Sequence, residues 1–167
     1  MEYWDAYDEH MHRIKGVTLQ RGYAVPDGMY HLVSDVLVRH ADGSFLLTKR
    51  DPHKAYGGMW EASVGGSALR GESPYACAKR ELKEESGISS GRLVRLATST
   101  VRGVRTIFVG FLCETDCDKN DITLQEGETV DYRWVSGEEL IAMRKRGEVT
   151  DRCDAVLHKI LKQYATR

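Results

Sequence analysis

The sequence predicts an α+β fold in which a mixed β-sheet is covered by helices. Three observations lead there. Strand-like and helix-like segments interleave without the regular βαβ rhythm of a doubly wound sheet. The 167-residue length suits one domain, residues 1–167, built on a single core. Hydrophobic content of 41%, charged content of 29% and three prolines describe a globular chain, with no composition shift to mark a linker or tail.

Each element has its own signal. Tyr3 to Tyr7 and Arg13 to Val17 are short β-rich runs around a polar turn at Asp8 and Glu9, which predicts an N-terminal hairpin over about residues 1–20. His31 to Arg39 and Ser44 to Arg50 flank Asp42-Gly43, a dipeptide suited to the positive φ angles of a tight turn. Ser73-Pro74 starts a helix and Gly87 stops it, with Tyr75, Ala78 and Leu82 spaced to face the core. A strand pair follows at Leu93 to Ser99 and Arg105 to Cys113, and "VDYRWVS" adds another strand, in which Trp134 alternates with Tyr132 and is expected to pack in the core. Ser136 caps a helix reaching Lys145, with Glu138 and Glu139 in its first turn. Thr150 is expected to cap a last helix in which Val156, Ile160 and Leu161 recur at helical spacing and Lys159, Lys162 and Arg167 lie toward the end.

Composition narrows the function. A formal net charge of −1 gives no electrostatic reason to expect a nucleic-acid duplex or an anionic membrane as partner. The polar, acidic start and the lack of eighteen consecutive apolar residues show neither a signal peptide nor a membrane span, so a cytoplasmic location is expected. Cys77, Cys113, Cys117 and Cys153 lack a second Cys/His pair at zinc-like spacing and read as reduced, packed thiols.

The chemistry concentrates in "GGSALRGESPYACAKRELKEESGI", Gly65 to Ile88. Glu81, Glu84 and Glu85 stand at i, i+3 and i+4, so three carboxylates leave one side of a single helical turn. They repel one another at the wrong end of the helix dipole, and Arg80 with Lys83 offsets only part of this. A solvated charged face is the ordinary reading of a lone Glu-Glu pair. A divalent cation with hard oxygen ligands, Mg²⁺ or in its place Mn²⁺, would offset the repulsion.

From Gly66 the chain reads Gly, five residues, Glu72, seven residues, Arg80-Glu81-Leu82, one residue, Glu84-Glu85, one residue, Gly87-Ile88. This resembles the Nudix box, and residues 66–88 match each of its fixed positions. The resemblance implies the α/β/α sandwich of the Nudix fold with a curved mixed sheet. It implies that Glu81 and Glu85 are the main metal ligands and that Glu84 is a further ligand or orients the attacking water. A backbone carbonyl at Gly65 or Gly66 would complete the site, Glu72 would join the metal network from the loop, and Arg80 would hold a glutamate in place. Implied too is a catalytic set of Glu84, Glu85, Glu81 and Arg80, hydrolysis of a phosphoanhydride in a small-molecule diphosphate, and a candidate general base in Glu126 or Glu128. A homodimer is compatible with this reading.

The upstream segment "FLLTKRDPHKAYGGMWEASVGG" is similar to that of isopentenyl diphosphate isomerase-like Nudix proteins. Isomerases of that group need a cysteine and a histidine where this chain reads "ASVGGSAL", and neither is there. The arginine and Phe-Pro of coenzyme A pyrophosphatases, the downstream proline of many ADP-ribose hydrolases and the early tyrosine of diadenosine polyphosphate hydrolases are likewise missing. A hydrolase is therefore expected, with an isomerase-like protein or a silent nucleotide-binding module as alternatives. Lys49, Arg50, Lys54, Tyr56 and Trp60 are the candidates to contact substrate, the first three through phosphates and the aromatics through a base.

Overall fold

The computed structural model describes residues 1–152 and 154–162. The predicted hairpin is present, β1 (Tyr3–Tyr7) pairing antiparallel with β2 (Arg13–Gln20) as a separate two-stranded sheet. The second sheet has seven strands: β3 (His31–His40), β4 (Phe45–Arg50), β5 (Trp60–Glu61), β6 (Val64–Ser67), β7 (Arg92–Val101), β8 (Thr106–Thr115) and β9 (Thr129–Val135). Its order is β5-β4-β3-β8-β7, with β6 also on β3 and β9 also on β4. β3 and β8 run parallel along their whole length. On its other side β3 pairs with β6 from Val33 to Val36 and with β4 only at Arg39, so the sheet opens there.

Three helices cover the sheet: α1 (Pro74–Ser86), α2 (Gly137–Lys145) and α3 (Asp154–Leu161). Alternation along β3 divides the core. Leu32, Val36 and Val38 pack with Ala78 and Leu82 of α1, whereas Leu37 packs with Leu140 and Met143 of α2 and Val156 and Leu157 of α3. The result is the expected α/β/α sandwich. α3 approaches closely because β8 carries Gly110, where a Cβ would stand 1.9 Å from Val156 Cγ2.

Local chemistry sets α1. Ser73 Oγ accepts the Ala76 N–H at 3.1 Å, Pro74 opens the helix, and Gly87 closes it at φ 75°, its N–H donating to Lys83 O. Ser136 caps α2 in the same way through the Glu139 N–H.

Several expectations are corrected. Tyr75 is 50% exposed, with its ring edge-on to Phe111 at a centroid distance of 6.3 Å. Thr150 does not cap α3: the helix starts four residues on, the Thr150 N–H is spent on Trp60 O at 2.9 Å, and its buried hydroxyl has no partner among the described residues. Arg105 is not in a strand. It ends a 3₁₀ turn, Arg102–Val104, in the left-handed region at φ 49°. β5 and β6 were not legible, being short and, in β6, carrying Gly65 and Gly66. Trp134 is half-buried against the core, its indole donating to Lys119 O at 3.2 Å. Cys153 and Arg167 lie outside the described residues.

Candidate active site

α1 and β6 together build the site. β6 lies along α1, and a Cβ on Gly66 would stand 2.5 Å from Glu81 Oε1, so only glycine lets the Glu81 carboxylate reach the sheet edge. At Gly65 a Cβ would meet Ser34 O at 2.2 Å, and the Gly65 N–H donates to Glu85 Oε2 at 2.9 Å. The two glycines serve close approach of backbone and carboxylate.

Arg80 organises the acidic cluster. Its Nε and Nη2 hold the two oxygens of Glu72 at 2.8 and 2.9 Å, its Nη1 reaches Glu81 Oε1 at 2.7 Å and Glu84 Oε2 at 3.0 Å, and Nη2 also donates to Ser67 O. The i, i+4 pair of Arg80 with Glu84 is present, beside its contacts with Glu72 and Glu81. Glu72 is tied to this guanidinium and to the Leu69 N–H, which places it behind Arg80.

Burial and charge set the titration of these groups. Desolvation, with Glu81, Glu61 and Glu128 nearby, pushes Glu85 up to about 8 despite the Gly65 N–H. Glu81 is also raised by burial, against the pull of Arg80. For Glu72 burial is outweighed by the Arg80 fork, and its pKa is lowered. The hydrogen bond to Glu72 raises Arg80 further, so it stays a cation.

A cavity of about 380 Å³ opens on Glu81, Glu84 and Glu85. Arg50, Lys54, Gly65, Arg80 and Glu128 line it as well, so these sequence candidates converge. Lys54 is paired there with Glu128, and Arg50 with the buried Glu61. Glu126 sits exposed in the preceding turn and does not line the cavity. Lys49 and Trp60 are not brought there either. The Trp60 ring lies between cations, with Arg133 Cζ at 3.8 Å and Lys49 Nζ at 5.7 Å from its centroid. Tyr56, 54% exposed at φ 60°, lines an adjoining cavity of about 470 Å³ with Phe108, Val104 and Asp35. Arg152 lines both cavities. A larger cavity of about 590 Å³ between α2 and α3 shares no lining residue with the glutamate site.

Three residues near the site were missed. Asp35 is buried opposite Gly65 with Oδ1 unpartnered among the described residues; burial pushes its carboxyl up to about 6, against Arg152. Glu61 bridges Arg50 and Arg152. An isolated Asp inside the apolar run "LVSDVLV" was a readable signal, whereas nothing local marks Arg152.

The donor set suits a hard divalent cation: the Glu81 and Glu85 carboxylates, raised in pKa by burial, stand beside the Gly65 and Gly66 backbone of β6. Among the described residues, no three acidic, cysteine or histidine side chains are gathered as a closed metal cage. Arg80 explains this, since it draws Glu81 and Glu84 to itself while Glu85 turns to Gly65. Cys77 is no isomerase thiol: it is buried, donates to Gly66 O, and burial pushes it up to about 12.

A family model of the NUDIX domain matches residues 29–153. The chain belongs to the Nudix hydrolase family. An uncharacterized Nudix hydrolase of Listeria monocytogenes is 36% identical over 152 residues, covering 89% of this chain and 88% of that protein. An isopentenyl-diphosphate Delta-isomerase of Corynebacterium diphtheriae is 30% identical over 136 residues, with coverage of 75% and 74%, in line with the upstream resemblance. The crystal structure of DR0079 from Deinococcus radiodurans shares the Nudix fold at a TM-score of 0.74 and 19% identity, covering 97% of this chain and 98% of that one. The N-terminal hairpin precedes the matched family segment.

Proposed function

We propose that this Nudix protein is a Mg²⁺-dependent hydrolase that splits a phosphoanhydride in a nucleoside diphosphate derivative or a related small diphosphate. The observation that carries the proposal is the convergence of Glu81, Glu84 and Glu85 with Arg50, Lys54 and Arg152 on adjoining cavities. Carboxylates supply a cation's ligands, and guanidinium and ammonium groups supply partners for phosphate oxygens. When bound, Mg²⁺ neutralises the diphosphate and lowers the pKa of a water. Glu81 and Glu85, with the Gly65 backbone, would hold it, and Glu84 would be a further ligand or orient the water.

Arg80 is a positioning residue. Glu72 holds its Nε and Nη2, which anchors the guanidinium independently of the Nη1 contacts with Glu81 and Glu84. Glu128 is the better placed base outside the helix, because it lines the cavity and Glu126 does not. Lys54 orients the Glu128 carboxylate through their ion pair. Tyr56 and Phe108 offer the adjoining cavity to the apolar or planar part of the substrate.

A phosphate-release screen over nucleotides, nucleotide sugars, dinucleotides and isoprenyl diphosphates tests this reading. Release from at least one class with Mg²⁺ or Mn²⁺ is expected. Interconversion of isopentenyl and dimethylallyl diphosphate would overturn the hydrolase reading, and binding without turnover would make the protein a nucleotide-binding module.

A further inference from the structure

The wall of the glutamate cavity includes a part of the chain outside the family-model match. Glu2, Trp4 and Arg21 of the N-terminal hairpin line the same cavity as Glu81, Glu84 and Glu85. The hairpin is fixed to the loop that feeds α1. The Arg70 N–H donates to Tyr3 O and the Gly71 N–H to the buried Asp5 Oδ2, both at 2.8 Å. Tyr7 and Tyr30 exchange two backbone hydrogen bonds at 2.9 Å, and the Trp4 ring stacks on His31 at 4.5 Å. Arg21 is thus held in register with the carboxylates through backbone contacts, and its position does not depend on its own side chain.

Arg21 closes this wall through one nitrogen, Nη1, which donates to Glu2 Oε1 at 2.9 Å and to Oε2 at 3.0 Å. Both side chains are solvent-accessible, at 60% and 40%. An exposed pair of this kind contributes little to stability, so exchanging the Glu2 carboxylate for another oxyanion costs little. A phosphoryl group fits a guanidinium fork as a carboxylate does and brings more charge. The neighbouring recess at Tyr56 and Phe108 offers apolar surface, whereas the hairpin wall offers charge.

Resting on the hydrolase reading, we infer that Arg21 is a specificity-determining residue that binds the terminal phosphoryl group of the substrate, with Glu2 as the carboxylate it displaces. The substrate class is then a nucleoside-like diphosphate or triphosphate that ends in a free phosphoryl, in preference to one capped by a second base or sugar. The terminal dianion satisfies Arg21. A neutral cap leaves Arg21 on Glu2.

Calorimetric titration separates this from the catalytic question. The ligands are adenosine α,β-methylenediphosphate and the same compound with its terminal phosphoryl esterified by glucose, each with Mg²⁺. Wild type is expected to prefer the free terminus, and Arg21→Ala to reduce that preference about tenfold or more, the size of a lost charge-assisted pair of hydrogen bonds. Arg21→Lys should retain part of it and Glu2→Gln should increase affinity for the free terminus. In turnover, Arg21→Ala should raise KM for the free-terminus substrate more than it lowers kcat. An unchanged preference in Arg21→Ala, or equal loss for both ligands, overturns the inference. Preserved discrimination in a wild type that releases phosphate from no compound of the screen would instead remove the hydrolase reading and leave Arg21 as a ligand contact.

Discussion

Glu85 combines two demands that conflict without a cation. It must be half-buried to meet the Gly65 N–H, yet burial beside Glu81 and Glu61 makes its charged form expensive. Its carboxyl holds a proton up to about pH 8 in the fold, against an ordinary value of 4.5, so the folded state binds more protons than the unfolded chain across that window. Metal-free stability therefore falls as pH rises from 4.5 toward 8. Glu85→Gln should raise the metal-free melting temperature at pH 8, with the gain shrinking toward pH 5, and should lower kcat by several orders of magnitude. A pH series of melting curves checks the first outcome and steady-state kinetics the second. Gly66 answers to sterics. Gly66→Ala should displace the Glu81 carboxylate, because a methyl 2.5 Å from Oε1 leaves no room, and activity should drop at least about tenfold. A circular dichroism spectrum like that of wild type would show that the loss is local.

At the scale of elements, α1 is specified at both ends by its own residues. Ser73→Ala should cost about 1 kcal/mol of stability, read by urea denaturation, through loss of the Ala76 N–H contact. Gly87→Ala should cost about 1–2 kcal/mol, since φ 75° is left-handed and Thr123 lies 3.1 Å from the added Cβ. These signals were legible because caps are local. The strand β6 was not, although it carries half of the site. Two glycines in four residues give no β propensity, and its pairing with β3 at Val33 to Val36 comes from contacts far apart in sequence. Thr150 shows the opposite error. Its backbone N–H ties it to Trp60 of β5, and its hydroxyl, the group a cap would use, is buried four residues before α3 with no partner among the described residues.

Over the whole molecule, the sheet parts between β4 and β6, and the cavity forms where loop residues from either side meet α1. No helix among the described residues is long and apolar enough to cross a membrane. Buried apolar side chains form clusters on the two sides of this sheet and a third at the hairpin. Because the folded carboxylates repel and the unfolded ones are dispersed, Mg²⁺ should raise the melting temperature by mass action, more so with a non-hydrolysable nucleotide. The rise should shrink as pH falls through about 8 toward 5, where protons on Glu85 compete with the cation. Glu81→Gln/Glu85→Gln should lose the shift. An equal shift in both proteins would place the cation elsewhere.

The sequence by itself determined the family, the helix that bears the glutamates and their common side, because spacing along one helix fixes which side chains share a turn. It also marked Arg80 as their clamp. Only the tertiary structure decided which cations meet them. Arg50, Lys54 and Glu128 reach the cavity while Lys49, Trp60 and Glu126 do not, although the two sets are neighbours in sequence. Strand alternation and turn geometry send adjacent residues to opposite sides, and the hairpin that brings Arg21 to the glutamates is joined to the loop before α1 by hydrogen bonds such as Gly71 N–H to Asp5, which spans 66 residues and leaves no periodic trace in the chain.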